Sequence, residues 1–380
     1  MSGPLQGLKV VELAGIGPAP LAGMLLANLG AEVLLVDRPG KGDEGVQLDQ
    51  RYDLANRGKE RLTVDLKDHA ALEALRGVID AADVLIEGYR PGVLERLGLG
   101  PAVLHARNPR LVIGRMTGWG GHGPLAKVAG HDINYIAISG ALAAIGGADR
   151  PVFPLNLLGD FGGGTMFLVF GIMAAIYERQ HSGRGQVVDA AMIDGVANLT
   201  TSLFTQRASG RYQPQRASNL LDGGAPFYEV YRCADGGWIS VGALEARFFA
   251  ELIDGLGLDP SWKDRQHDKD GWPEMRRQLE AAFAKRPRDE WGRVFWQRDT
   301  CVAPVLDIDE VAHHPHHAAR GTYASVLAGD GRMTAAAPAP RFDRTPAPAR
   351  PVTRDIANPG AFLRGWGVAA ESVAALVREP

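Results

Sequence analysis

The sequence predicts an α/β fold: a doubly wound parallel sheet in a large domain, followed by a smaller α+β domain. Three observations carry this. Short apolar runs alternate with helical patterns through the first 120 residues. That alternation builds parallel sheets with right-handed crossovers. The texture changes near Leu221, where a hairpin pattern leads into three amphipathic helical stretches. The chain also has 380 residues, room for two to three domains.

In order, Leu8–Ala14 is the first strand, and the turn at 15–18 leads to a helix over Ala19–Leu29. Ala31–Asp37 and Arg61–Leu66 are the next strands. Lys67–Ala82 is a helix because Leu72, Leu75, Val78 and Ile79 fall on one face. Asp83–Gly88 and Arg110–Met116 complete the first series of strands. A Gly/Pro-rich stretch at 117–164 interrupts the alternation, with a helix near Asp132–Ala144. An apolar helix over Phe161–Gln180, a strand at Gln186–Ala191 and a helix over Ile193–Ala208 follow. Phe227–Cys233 and Trp238–Gly242 flank Ala234-Asp235-Gly236-Gly237 and read as a hairpin. Helical patterns occupy 245–256, 273–285 and 288–299. The Ala/Pro-rich stretch 335–351 reads as a linker or strap, and Val368–Val377 as the last helix. The expected domains are residues 1–210, 221–320, and a strap with a C-terminal return at 321–380.

Composition narrows the function. Apolar residues are 46% and charged residues 22%, as in ordinary soluble proteins. The net charge of −3 gives no bulk pull toward nucleic acid or an anionic membrane. The 48 Gly and 24 Pro exceed the roughly 45 that average usage gives for both together, so loops that can hold a site are plentiful. Cys233 and Cys301 form neither a zinc pattern nor a disulfide framework, which points to free thiols in a reducing cytoplasm. The N-terminus lacks a signal-peptide pattern. The apolar stretch Gly162–Tyr177 falls short of a ~20-residue membrane span and reads as a buried helix.

Gly15-x-Gly17 after the first strand, with Asp37 further on, imitates a dinucleotide-binding fingerprint. Pro20 stands at the third glycine position, so a tight strand-to-helix turn is the simpler reading. The ends of parallel strands share one rim, where ligands bind. Arg38, Lys67 and Gly88-Tyr89-Arg90 follow successive strands, and Arg96 lies six residues beyond Arg90. Four cations and one aromatic ring would suit phosphates attached to a purine. Scattered surface charge is the competing account.

Two polar motifs mark the middle stretch, Gly130-His131-Asp132-Ile133-Asn134-Tyr135 and Asn156-Leu157-Leu158-Gly159-Asp160-Phe161-Gly162-Gly163-Gly164. Asp160 stands at the start of the apolar helix, where a plain N-cap is the ordinary role. Three glycines are costly in a helix start. They suit a backbone that a ligand approaches closely, where free N–H groups would favour an oxyanion.

Nearly end to end, the chain resembles the family III CoA-transferase superfamily, and within it the α-methylacyl-CoA racemases. The resemblance is carried by "GLKVVELAGIGPAP", "GAEVLLVDRPG", "DVLIEGYRPGVLERLGLG", "RMTGWG", "AGHDINYIAISG", "PLNLLGDFGGGTMFLVFGI", "GQVVDAAMIDG" and "LDGGAPFYEVYRCADGGWISVGALE". It implies a Rossmann-like large domain, a small α/β domain and two interlocked subunits, hence an obligate homodimer. It implies His131 as base, Asp160 as acid/base, and Glu245 as the carboxylate that holds the histidine. It further implies CoA contacts at Arg38, at Val64, Asp65, Leu66 and Lys67, at Gly88, Tyr89 and Arg90, and at Arg96. Others fall at Gly130, His131, Asp132, Ile133, Asn134 and Tyr135, and at Asn156.

The expected reaction is racemisation at the α-carbon of a 2-methylacyl-CoA thioester, in which CoA is part of the substrate and no metal or redox cofactor is needed. Bases on opposite faces, one protonated and one not, remove and return the proton through an enolate. The enolate oxygen would be met by backbone N–H groups near Asp160. Met166, Met192 and Phe227 are candidates for the apolar acyl pocket. The runner-up is a CoA-transferase using Asp160 as nucleophile. Such relatives generally lack the histidine of "AGHDINY". The histidines at 313, 314, 316 and 317 read as a solvated loop rather than a metal site.

Overall fold

The structure, a computed structural model, describes residues 3–40, 49–347, 349–352 and 354–377. It divides the chain into two units. One comprises residues 1–139, 154–199 and 315–380, the other residues 140–153 and 200–314.

The first unit is built on a parallel sheet. Its strands are β1 (Lys9–Leu13), β2 (Glu32–Asp37), β3 (Glu60–Thr63), β4 (Val84–Glu87), β5 (Val112–Thr117) and β6 (Val187–Ala191). They lie in the order β3-β2-β1-β4-β5-β6, and the two-residue strand Arg354–Asp355 extends the β3 edge. Every pairing is parallel. The chain reverses direction across the sheet between β1 and β4, which opens a crevice beyond their carboxyl ends.

Both faces of the sheet are covered, and the alternation along each strand shows it. Val11, Leu13, Leu34, Val36 and Leu85 point into one core, shared with Leu75, Val78 and Ile79 of α2 (His69–Asp80). α3 (Val93–Arg96) and α4 (Pro101–Arg107) lie on this side, contributing Leu94 and Leu104. Val10, Val33, Val84, Ile86 and Val112 point into the other core, against α1 (Pro18–Asn28). Leu168 and Ile172 of α7 (Met166–Ser182) close that side.

α5 (Asp132–Ile138) stops at Ser139, because Gly140 takes φ +85° before α6 (Ala141–Ala144). The single helix expected over 132–144 is therefore two, and 140–153 belongs to the second unit. Arg216 ties that segment in by donating to the carbonyls of Ala143, Gly147 and Ala148. The helix expected over 193–208 likewise breaks at Thr200 into α8 (Met192–Leu199) and α9 (Thr201–Ala208), which fall in different units.

The second unit carries β7 (Tyr228–Arg232) and β8 (Trp238–Gly242), the expected hairpin, with α10 (Ala246–Leu256), α11 (Trp272–Phe283) and α12 (Arg288–Val294) around it. A third antiparallel strand, β9 (Val302–Pro304), pairs with β8. Phe227, Tyr231, Phe249, Phe283 and Trp291 form its core.

The chain then returns to the first unit through α13 (Pro315–Arg320). A hairpin of β10 (Tyr323–Ala328) and β11 (Gly331–Ala336) follows, which the Ala-rich sequence concealed. Pro348 of the expected strap lies outside the described residues. β12 (Arg354–Asp355), α14 (Pro359–Gly365) and α15 (Ala370–Leu376) end the chain, with Leu363, Trp366 and Val373 buried beside α2.

The apolar helix departs from expectation. A π-helical segment, Leu157–Thr165, precedes α7, giving a helical run of 26 residues from Leu157 to Ser182. By length and composition this run could cross a membrane. Only a third of its most apolar window is buried, so it is not the buried helix expected. Met166, Phe170 and Tyr177 lie exposed at helical spacing.

Candidate active site

The rim beyond the strand ends holds a cleft of about 250 Å³. Ala14, Gly15 and Ile16 line it from β1, and Val36, Asp37 and Arg38 from β2. Leu66 follows β3, and Gly88 and Tyr89 follow β4. Of the four cations expected here, Arg38 lines the cleft. Lys67, Arg90 and Arg96 are exposed and stand outside the lining. Val64 has its side chain in the core, so only its backbone remains for a ligand. Asp65 accepts the Lys67 N–H at 2.9 Å and shapes the turn after β3.

Beside the same rim, α5 and the π-helical segment bring two motifs together. His131 is the N-cap of α5, and its N–H donates to Asn134 Oδ1 at 3.0 Å. The imidazole is exposed. Ile133 and Asn134 are exposed beside it. Tyr135 turns inward, donating to the carbonyl of Gly130 at 2.5 Å and meeting Trp119 edge to face at 4.7 Å. A Cβ on Gly118 or Gly130 would overlap the Tyr135 ring, so glycines there let the loop wrap it.

Asp160 sits within the π-helical segment rather than capping it. Its N–H donates to Asp132 Oδ2 at 2.7 Å. Asn156, four residues earlier, donates its Nδ2–H to Asp160 Oδ2 at 3.2 Å. Thr165 Oγ1 donates between the carbonyls of Pro18, at 2.8 Å, and Asp160, at 3.3 Å. Burial pushes the Asp160 carboxyl above the usual carboxylate range, and the Asp132 carboxylate adds to the rise. The Asn156 amide and the His131 imidazole pull the other way. The bond from the Asp160 N–H to Asp132, the residue after His131, joins the two motifs.

The reading of the glycine run changes. The glycine run is not space kept for a ligand: a Cβ on Gly163 would meet Val196 at 2.7 Å, and one on Gly164 would meet Met192 at 2.9 Å. A Cβ on Gly195 would lie 1.9 Å from the Gly163 carbonyl oxygen. These glycines let α8 pack directly on the segment. Near Asp160, the N–H groups of Asp160 and Phe161 are spent internally, on Asp132 and on the Asn156 carbonyl. Of the acyl-pocket candidates, Met192 and Phe227 are buried in the two cores, and only Met166 is exposed.

Glu245 lies in the second unit, where it is the exposed N-cap residue of α10 and its carbonyl accepts the Phe249 N–H. Among the described residues no group of histidine, cysteine and acidic side chains could hold a metal ion.

Sequence reading assigned neither the turn at Ala14–Gly17 nor Thr165 to the site. Gly17 takes φ +69°, and a Cβ there would lie 3.2 Å from Asp160 Oδ2. The positive φ was legible in the glycine. Its neighbour was not.

Residues 5–353 match the model of CoA-transferase family III. The chain is 44% identical over 344 residues to the alpha-methylacyl-CoA racemase of Mus musculus, covering 90% of this chain and 87% of that protein. It is 43% identical over 346 residues to the Homo sapiens protein of the same name, with the same coverage. Among solved structures, a CaiB/BaiF family protein from Brucella suis superposes with a TM-score of 0.80 at 24% identity, covering 96% of this chain and 99% of that one. That likeness concerns the fold.

Proposed function

The chain belongs to CoA-transferase family III, and from its site we propose that it is a racemase acting on 2-methylacyl-CoA thioesters. It is an isomerase that inverts the α-carbon by moving one proton off one face and another onto the other. The observation that carries this is the bond from Asp160 to Asp132, which brings the His131 motif to Asp160, a carboxyl whose burial favours its protonated form. Proton transfer across a planar enolate needs one base with its proton and one without. A carboxyl of ordinary acidity would almost always be ionised at neutral pH, and a raised one shares the proton with an imidazole more evenly. Asn156 holds the reacting oxygen in place. Glu245 is proposed to steady the imidazole and stabilise its charged form. The chemistry uses only proton transfer, so it calls for neither a metal nor a redox cofactor.

The CoA moiety is proposed to lie along the strand-end rim, with Arg38 on its phosphates and Tyr89 against its base. Asn134 and Ile133 border the reacting end. A homodimer is proposed, supported by the exposed stripe of Met166, Phe170 and Tyr177 on α7. Free Cys233 and Cys301 support a cytoplasmic location.

The test is α-proton exchange of each enantiomer in heavy water, with and without an acceptor acid. His131→Ala and Asp160→Ala should each lower racemisation by ~10²–10⁴. A transferase would need the acceptor acid and would tolerate His131→Ala. Racemisation at the wild-type rate in His131→Ala would sink the two-base reading.

A further inference from the structure

Asp132 is one of the few acidic side chains buried in the first unit, 7% exposed, and it lies next to His131 in sequence. Its Oδ2 accepts the Asp160 N–H at 2.7 Å, a charge-assisted length. Its Oδ1 is buried and accepts no hydrogen bond. A buried carboxylate oxygen with no donor is costly, and a fold that only needed an acceptor for one N–H could use a neutral group. Gly159 makes the arrangement possible, because a Cβ there would lie 2.4 Å from Asp132 Oδ2. The contact therefore involves three positions, and it joins the two catalytic motifs directly.

We propose that Asp132 is a positioning residue: its carboxylate clamps the main-chain N–H of Asp160 and, left without a second donor, sets how readily Asp160 takes up a proton. This rests on the acid/base role of Asp160 proposed above. The groups facing Asp160 are few. His131, Asp132 and Tyr135 reach it from α5, and Asn156 from its own segment. Gly17 and Pro18 meet its segment from the turn, and Met192 and Val196 pack on the segment from α8 without charge. Arg90 acts on Tyr135. Asp132 is thus the one negative charge beside Asp160 among these described groups, and it opposes the influence of His131.

Asp132→Asn keeps the shape and an acceptor for the Asp160 N–H while removing the charge. The readout is kcat/KM for racemisation against pH, whose acid limb belongs to the lower pKa of the His131–Asp160 pair. A negative neighbour raises a carboxyl's pKa, so its removal should move the acid limb down by about one pH unit. Asp132→Ala loses the clamp as well and should lower kcat on the order of 10–100-fold at the optimum. An unmoved or raised acid limb in Asp132→Asn, or a wild-type kcat in Asp132→Ala, overturns the proposal.

If neither variant folds, the wild-type protein decides. In a sample labelled with ¹⁵N at aspartate, the Asp160 amide should resist hydrogen exchange, and exchange at the rate of an open amide overturns the clamp. Asp160→Ala separates the two failures. Should it racemise normally, the catalytic reading has failed. If it is inactive while Asp132→Asn keeps the wild-type profile, only the present inference has.

Discussion

Lys59 and Glu12 meet beneath the α1 side of the sheet, and neither side chain has any exposed surface. Lys59 Nζ donates to Glu12 Oε1 at 2.7 Å, to the Pro20 carbonyl at 2.8 Å and to Asn56 Oδ1 at 2.6 Å. Glu12 Oε2 has no partner, and burial pushes the Glu12 carboxyl up to about 7 even with the ammonium beside it. Lys59→Met keeps most of the bulk and removes the charge. Glu12 would then be held protonated in the folded protein. The change also leaves the Asn56 and Pro20 oxygens without the ammonium, and breaking a buried pair by removing one partner costs ~3–5 kcal/mol. At roughly 2–4 °C per kcal/mol, the melting temperature should drop by roughly 6–20 °C. The sign of the pH dependence is a second check. With the ammonium beside it the folded Glu12 carboxyl loses its proton near 7, and without it the proton is held to higher pH, so the loss grows as pH rises above about 7 and levels off below it, where Glu12 is protonated in both proteins. Urea unfolding of the protein at pH 6, 7 and 8 measures both. A loss under 1 kcal/mol at pH 7, or one that does not change with pH, refutes the account. Adding Glu12→Gln to Lys59→Met should restore part of the stability, since the buried acid is then gone.

Three further outcomes follow from the same structure. Gly17→Ala forces an alanine to φ +69° and sets its methyl 3.2 Å from Asp160 Oδ2; kcat should fall at least ~10-fold with KM little changed. Arg38→Ala should raise KM for the acyl-CoA by a charge-assisted contact, ~1.5–3 kcal/mol or about 10–150-fold. Arg96→Ala should raise it less, because the Arg96 guanidinium lies over Gly92 and outside the cleft; equal effects would refute this division of roles. In the second unit the Arg288 guanidinium holds Glu310 down at about 2. That stability is present above the ordinary carboxyl pKa and is lost as pH falls from about 4.5 to about 2. Glu310→Gln should therefore flatten acid destabilisation in that window, as followed by tryptophan fluorescence.

The strands were legible because each reads as an apolar run wherever both faces of the sheet are covered. The helix ends were less so. Apolar periodicity runs straight through Ser139–Gly140 and through Thr200, and only the fold shows that each break hands the chain from one unit to the other. β10 and β11 were missed because Ala carries little strand signal, and Ala335 in β11 pairs with Ala324 in β10. In the site, His131 and Asp160 were visible as residue types in glycine-rich motifs. Asn156 was visible too, and its i,i+4 spacing from Asp160 is enough to bring the two side chains together. The Asp132–Asp160 bond joins residues 28 apart and left no local trace. The Glu12–Lys59 pair was hidden for another reason. Glu12 interrupts an otherwise apolar strand by one residue, and a buried charge is recognised only once its partner is known.

The turn after β1 shows how a familiar pattern can serve a different end. In nucleotide-binding sheets of this strand order, the helix after that turn offers free N–H groups to a pyrophosphate. Here Pro18 and Pro20 fall in the first turn of α1, and proline has no N–H to offer. Two donors that would hold a phosphate are missing by composition. The glycine before them is still required, because the chain must pass at φ +69° under the Asp160 carboxylate. The Pro18 carbonyl, held by Thr165, fastens the turn to the segment that carries Asp160. Two residues further along α1, the Pro20 carbonyl takes the buried ammonium of Lys59. The start of α1 is therefore pinned from both sides, by the catalytic segment and by the ion pair beneath it. A loss at Lys59 should consequently reach the active site: in the surviving folded fraction of Lys59→Met, kcat should fall while KM for the acyl-CoA, set at the rim, stays near its wild-type value. If kcat per folded molecule is unchanged, the ion pair serves stability alone, and the seat of Asp160 does not depend on it.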